Sequence, residues 1–249
     1  MSPVIGLIGA GRIGSAVARL SLAAGLEVVV SNSRGPATLK DTVSAWGEGA
    51  RAAEVSVTAR AADLVVATIP LGGHRSLPAA DLAGKTVIDT MNYYPERDGH
   101  IEELDDRSVT SSELVQRHLP GARVVKGFNN IDFRRLELLA RPSGAPDRSA
   151  LPIAGDDDGA KTAVAAFLDR LGYDAVDIGA LAESWRSEPQ TDVYVRPYLP
   201  DVPDGITGAA DVMSWFLRCE GRRQGPEHVR GLVLGTARRS PAEARESLG

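Results

Sequence analysis

The chain has 249 residues, 43% of them hydrophobic and 24% charged, with a formal net charge of −5, a composition that suits a soluble globule built as one large α/β domain with room for a small appendage. The negative balance offers no general attraction to nucleic acid or to an anionic membrane surface, no apolar run reaches the roughly 18 residues a membrane span needs, and the single cysteine, Cys219, cannot form an internal disulfide. A strand pattern that already begins at Val4 leaves no space for a secretory leader, so a cytoplasmic protein is expected.

The first element reads as a strand, Val4-Ile5-Gly6-Leu7-Ile8, followed by the turn Gly9-Ala10-Gly11-Arg12-Ile13-Gly14 and a helix through Ala16, Val17, Leu20 and Leu22. A glycine turn of this spacing is weak evidence alone and gains meaning from a strand before it and a helix after it. Gly9 allows the tight turn, Gly11 lets the backbone approach a pyrophosphate, and Gly14 lets the helix pack closely. The helix N-terminus offers unpaired N–H groups and a positive dipole end to the phosphates. The pattern therefore points to a dinucleotide.

A second strand, Glu27 to Val30, ends in Ser31-Asn32-Ser33-Arg34. Chains that bind NAD place a carboxylate here to hold the ribose 2′-hydroxyl. This chain has hydroxyls, an amide and a guanidinium instead, groups that donate to a 2′-phosphate. NADP(H) is the expected cofactor. The same residues also suit capping of a helix from Pro36 to Trp46.

Further strands are expected at Val55-Ser56-Val57, Leu64 to Ile69 (stopped by Pro70), Thr86 to Asp89, Arg123 to Lys126, Ala150 to Ala154 and Tyr173 to Val176. Their near-continuous apolar character suits a parallel sheet covered on both faces. Helices are expected after Thr110-Ser111-Ser112-Glu113, over Asp132 to Ala140, and from Asp156-Asp157-Asp158 through Leu171. The alternation predicts a Rossmann-type, doubly wound, mostly parallel sheet over residues 1–186. Residues 187–249 form an extension: a proline-rich arm over 187–204, helices at 208–219 and 226–238, and a polar tail from Ser240 to Gly249.

In such a sheet the ligand cleft lies beyond the carboxyl ends of the strands. That selects Ile69, Pro70, Leu71 and His74, then Met91 and Asn92, as cofactor-binding residues beside Gly9 to Gly14 and Ser31 to Arg34. Phe128, Asn129 and Asn130 are selected for the facing substrate side. Asp156 to Asp158 read as a helix N-terminus rather than a metal site, and no histidine spacing suggests a metal.

Taken together, Gly9 to Gly14, Val30 to Arg34, Thr68-Ile69-Pro70-Leu71, Val125-Lys126-Gly127-Phe128-Asn129, Ala154-Gly155-Asp156-Asp157 and Asp177-Ile178-Gly179-Ala180-Leu181 resemble the deazaflavin-dependent (coenzyme factor 420) NADP oxidoreductases. The set is also similar to the NADPH domain of membrane ferric reductases. The resemblance spans about residues 3–186. It implies a Rossmann-type NADP(H) domain, a 2′-phosphate site at Ser33-Arg34, and a wall beside the nicotinamide at Thr68-Ile69-Pro70. It further implies hydride transfer to a deazaflavin or flavin-like small molecule. His74 lies one residue later than the histidine such chains can carry. The Lys126 to Asn129 stretch is closer to the ferric reductases, and the Tyr93-Tyr94-Pro95 loop and proline-rich arm depart from the deazaflavin enzymes.

Transfer of hydride between two aligned rings requires no side-chain base. A carbonyl or imine acceptor would require a proton donor, for which His74, Tyr93, Tyr94 and Lys126 are the nearby candidates. An imine-type reductase would continue into a long all-helical domain, whereas strand patterns here continue to Val176. A non-catalytic NADPH-binding redox sensor is the other alternative. The arm and its tyrosines could wrap a second subunit, giving a homodimer.

Overall fold

The computed structural model describes residues 2–238; the tail expected from Ser240 onward lies outside them. Eight strands form one sheet: β1 (Val4–Ile8), β2 (Glu27–Ser31), β3 (Ala50–Ala52), β4 (Leu64–Ala67), β5 (Thr86–Asp89), β6 (Arg123–Lys126), β7 (Ala150–Gly155) and β8 (Asp174–Asp177), in the order β3-β2-β1-β4-β5-β6-β7-β8. The first six are mutually parallel in the Rossmann order. β7 runs antiparallel to β6 and parallel to β8.

Eleven α-helices are described: α1 (Arg12–Ala23), α2 (Lys40–Trp46), α3 (Val55–Ala61), α4 (Ala79–Leu82), α5 (Pro95–Asp98), α6 (Glu102–Asp105), α7 (Ser111–His118), α8 (Phe133–Leu138), α9 (Asp158–Leu171), α10 (Ala209–Arg218) and α11 (Pro226–Gly235). None is long and apolar enough to cross a membrane.

The period-2 alternation of strand side chains builds two cores. Leu7, Val66, Ile88 and Val125 point to one face, against Ala16 and Val17 of α1, Leu136 of α8, and Val164 and Phe167 of α9. Val65, Ala67, Val87 and Val124 point to the other, against Ala59 of α3, Leu82 of α4, and Leu114 and Val115 of α7. Both faces of the sheet are covered, which is why its strands read as unbroken apolar runs.

Side chains cap the starts of α7, α8 and α9, whereas the segment from Pro36 to Trp46 has no side-chain cap from the cluster before it. At α7, Thr110 and Glu113 form a capping box: Glu113 N donates to Thr110 Oγ1 at 3.2 Å, and Thr110 N donates to Glu113 Oε2 at 2.7 Å. At α9, Asp157 accepts from Ala160 N at 2.6 Å, so the aspartate run is a helix N-terminus, as its composition suggests.

One expected strand is a helix. Val55-Ser56-Val57 opens α3, and the third strand is the short Ala50–Ala52. The positions buried there are Thr58, Ala59 and Ala62, a helical spacing, while Val57 is 40% exposed. An alternating strand would have buried Val55 and Val57 together. α3 lies so close to β1 that a Cβ on Gly6 would sit 2.6 Å from the Ala62 Cβ.

The proline-rich arm is not free. A 3-10 segment, Leu181–Ser187, and another, Arg196–Tyr198, carry it across the exits of the central strands. Tyr198 is fully buried, and its hydroxyl donates to Ala150 O at 2.8 Å. Burial pushes the Tyr198 and Tyr173 phenols well above their ordinary values, so both serve as neutral pins.

Candidate functional site: a dinucleotide cradle at the exits of β1 and β4

Three glycines do three different things at the β1 exit. Gly9 holds φ +117, and Thr68, just past the end of β4, clamps it: a Cβ there would lie 2.6 Å from Thr68 Oγ1. The Thr68 hydroxyl donates to Gly9 O at 2.8 Å. Gly14 faces back into the turn, where a Cβ would come within 2.4 Å of Gly9 O. Gly11 has nothing within 4 Å of its Cβ position. That open space sits before α1, whose N-terminus has no side-chain cap. Open space before unpaired N–H groups fits a pyrophosphate, and a side chain at Gly11 would intrude on it.

Gly9 N donates to Ser31 O at 2.9 Å, which fastens the turn to the end of β2. The Arg12 guanidinium lies 5.2 Å from the Phe133 ring centroid on α8, so this residue offers the cradle its main-chain N–H rather than its charge. Ala10 and Ile13 are half-buried against the core and shape the turn.

The 2′-phosphate cluster divides in two. Ser31 is fully buried within β2, and its hydroxyl donates to Leu7 O at 3.2 Å, so it does not face a phosphate as the sequence suggested. The period of the strand turns it inward. Asn32 accepts from Arg34 N at 2.9 Å and donates to Thr38 Oγ1 at 2.9 Å, forming an Asx-type turn. Ser33 and Arg34 are thereby left exposed at the strand exit. The segment Ser31 to Arg34 itself carries no carboxylate, and the nearby Glu54 Oε1 lies 3.7 Å from the Cβ position of Gly35.

Along the β4 and β5 exits, the expected wall has an inner and an outer layer. Ile69 is half-buried and Pro70 exposed, whereas Leu71 is fully buried and Met91 is 2% exposed, both within the core. These two support the wall from behind and do not line it. His74 is 6% exposed; its Nδ1 lies 2.9 Å from Leu71 O and its ring packs edge-on to His118 at 5.9 Å. Burial, opposed in part by the Leu71 carbonyl, holds its imidazole below the ordinary value. A neutral, packed histidine is a structural support here.

The residues expected to face the acceptor are mostly covered. Phe128 is fully buried against Phe167, with ring centroids 6.1 Å apart. Asn130 is fully buried, and its amide donates to Val193 O and Tyr198 Oη, each at 3.1 Å. Asn129, 4% exposed, donates to Ser187 O at 2.7 Å and to Asn92 Oδ1 at 3.2 Å. Asn92 donates to Asn129 O at 2.8 Å. These amides hold the arm over the sheet, so Phe128, Asn129 and Asn130 are not the substrate surface their place after β6 suggested. The arm occupies the space above them.

Lys126 is also buried, fully, and does not reach the cleft. Its Nζ donates to Met91 O at 2.6 Å and Ser111 Oγ at 2.8 Å, and lies 3.5 Å from Asp89 Oδ2. Ser112 Oγ donates to the same Asp89 oxygen at 2.6 Å. Of the remaining candidate proton donors, the Tyr93 hydroxyl donates to Asp105 at 2.7 Å, and burial together with that carboxylate pushes it up to about 12. Tyr94 pairs its hydroxyl with that of Tyr194. Each of the four is engaged by partners within the fold.

Sequence reasoning passes over Ser187 and brings in Thr68 only as part of the wall segment Thr68-Ile69-Pro70. Thr68 stands next to the Ile-Pro pair but gave no sign of its contact with Gly9. Ser187 is distant in sequence from Asn129 and carries no motif.

Comparison with known proteins gives the family and the folds this chain resembles. Residues 4–93 match the family described as NADP oxidoreductase, coenzyme F420-dependent. A hypothetical protein, SMa0349, of Sinorhizobium meliloti is 29% identical, with a TM-score of 0.69 over 81% of this chain and 97% of that one. A protein described as a candidate F420-dependent NADP reductase from Arthrobacter sp. FB24 is 26% identical, with a TM-score of 0.59 over 73% of this chain and 86% of that one. The Escherichia coli protein YjhV is 36% identical over 64 residues, which span 26% of this chain and 43% of that relative.

Proposed function

From the match of residues 4–93 to the coenzyme F420-dependent NADP oxidoreductase family, we propose that this chain moves hydride between NADP(H) and a deazaflavin or flavin-like small molecule. Bound NADP(H) supplies the hydride chemistry. The chain supplies the cradle at Gly9, Gly11 and Gly14, a phosphate-binding corner at Ser33 and Arg34, and a wall at Ile69 and Pro70 that orients the nicotinamide. It also excludes water, by folding the arm across the strand exits.

The observation that carries the acceptor class is the state of the four candidate proton donors. His74 is neutral and packed, Lys126 is enclosed with Asp89, Tyr93 is held by Asp105, and Tyr94 is paired with Tyr194. A carbonyl or imine needs a proton as well as a hydride, whereas alignment of two rings does not. The same reading takes the cytoplasm as the place of action.

The test is an acceptor screen: NADPH oxidation followed at its near-ultraviolet band with factor 420, FMN, FAD, ferric chelates and cyclic imines. Turnover with factor 420 or a flavin supports the reading. Turnover with imines alone overturns it, and no turnover with any acceptor favours an NADPH sensor.

A further inference from the structure

A second concavity, of about 580 Å³, opens one residue beyond Asn92, between the loop after β5 and the arm. Its size lies within the roughly 300–1,000 Å³ typical of small-molecule sites. None of the glycine cradle or the phosphate corner contributes to it. Tyr93, Tyr94, Leu104, Trp185 and Tyr194 give it aromatic and apolar walls, and Glu188 is its polar group closest to the buried charges.

Glu188 is anchored on one side only. Its Oε1 accepts from Ser111 N at 3.2 Å and Ser111 Oγ at 2.6 Å, and lies 3.9 Å from Lys126 Nζ. Its Oε2 takes no bond from any described residue, and the side chain is 20% exposed. The tyrosine hydroxyls are engaged: Tyr93 with Asp105 and Gly99, Tyr94 with Tyr194. A fixed carboxylate with one open oxygen, set among rings, selects a ligand that presents a hydrogen-bond donor.

Backbone conformation adds an independent sign. Arg107 at φ 62 and Gln190 at φ 72 both line this cavity, and Val195 at φ 54 adjoins its Tyr194. They are three of the four described non-glycine residues in the left-handed region. Such conformations cost free energy and gather at ligand sites.

We propose that this cavity binds a planar, fused heteroaromatic ring through an N–H on its edge, with Glu188 as the polar anchor, and that it is the acceptor's half of the reaction site. The acceptor role rests on the function proposed above; ring binding does not.

The experiment uses the full-length protein saturated with NADP⁺, so that no turnover occurs. Lumichrome, riboflavin, FMN and factor 420 are titrated while tryptophan fluorescence is followed. Saturable quenching is expected, and Trp185→Phe should remove most of it. Glu188→Gln should weaken binding about tenfold, the loss of one charge-assisted bond. Thr191→Trp, which fills the cavity and gives up the Thr191 hydroxyl's bond to Glu188 O but removes neither Ser111 bond to the Glu188 carboxylate, should abolish binding while leaving NADP⁺ affinity unchanged. Absence of saturable quenching by all four compounds, or equal binding to the Thr191→Trp protein, overturns the proposal. Ring binding without NADPH oxidation supports the cavity as a ring site and overturns its acceptor role. NADPH oxidation by a flavin that Thr191→Trp leaves unchanged overturns the cavity and leaves the proposed function standing.

Discussion

Asn92 and Asn129 hold each other across the exits of β5 and β6: Asn92 Nδ2 donates to the carbonyl of Asn129, and Asn129 Nδ2 returns a bond to Asn92 Oδ1. Asn129 also ties Ser187 of the arm, donating to its carbonyl and accepting from its hydroxyl at 3.2 Å. Asn129→Ala would take the Asn129 Nδ2 donor from the Ser187 carbonyl and from Asn92 Oδ1, while Asn92 Nδ2 keeps its bond to the main-chain carbonyl at 129. A loss of about 1–3 kcal/mol is expected, the cost of stranding buried polar groups. Chemical denaturation measures it, and limited proteolysis near Arg196 should quicken if the arm loosens.

Arg34 should set the preference for NADPH over NADH. It is exposed at the β2 exit, held there by the turn at Asn32. Arg34→Ala should weaken NADPH binding by about 2 kcal/mol, roughly thirtyfold, as expected when a charge-assisted bond to phosphate is removed. NADH binding should stay nearly unchanged. Calorimetric titration with both cofactors decides it; an equal loss for both would remove Arg34 from the phosphate site.

Gly11 and Gly14 should fail in different ways. The Gly11 Cβ position is open, so Gly11→Val should fold and lose NADP(H) affinity. At Gly14 a Cβ would meet Gly9 O at 2.4 Å, so Gly14→Ala should lower the melting temperature by several degrees as well. Thermal melts with and without NADP⁺ separate the two effects.

Lys126 is enclosed with Asp89 and within 3.9 Å of Glu188. Lys126→Met leaves a buried carboxylate without its cation, which should cost about 3–5 kcal/mol. Adding Asp89→Asn, which keeps an acceptor for Met91 N, should recover part of that loss. Urea melts of the single and double variants test it; a double variant no more stable than Lys126→Met would contradict this account.

His74 should make the fold sensitive to mild acid. Its imidazole is held below the ordinary 6.5, first by burial. The unfolded chain therefore takes up this proton at a higher pH than the folded one. The stability it contributes is full above about pH 6.5 and fades as pH falls below it, until the folded imidazole also protonates. His74→Gln should flatten the stability profile between pH 6.5 and 5. An unchanged slope in denaturation across that range would show that other groups govern it.

Much of the fold is legible in local chemistry. The turn from Gly9 to Gly14, the capping box of Thr110 and Glu113, the aspartates before α9 and seven of the eight strands follow from spacing and residue type, because each depends on neighbours close in the chain. Val55 to Val57 misread as a strand because two β-branched residues at alternate positions imitate one, and only packing against Gly6 shows the helix. The proposed cofactor half of the site rests on equally local features: the glycine turn and the exposure of Ser33 and Arg34 need only the strand-turn-helix order. The inward turn of Ser31, the burial of Leu71, Met91 and Lys126, and the use of Phe128, Asn129 and Asn130 to seat the arm depended on partners far along the chain. Position after a strand places a residue at the cleft, but what finally stands above it is set by the tertiary fold, here by residues 184–198 closing over the exits of β5 and β6.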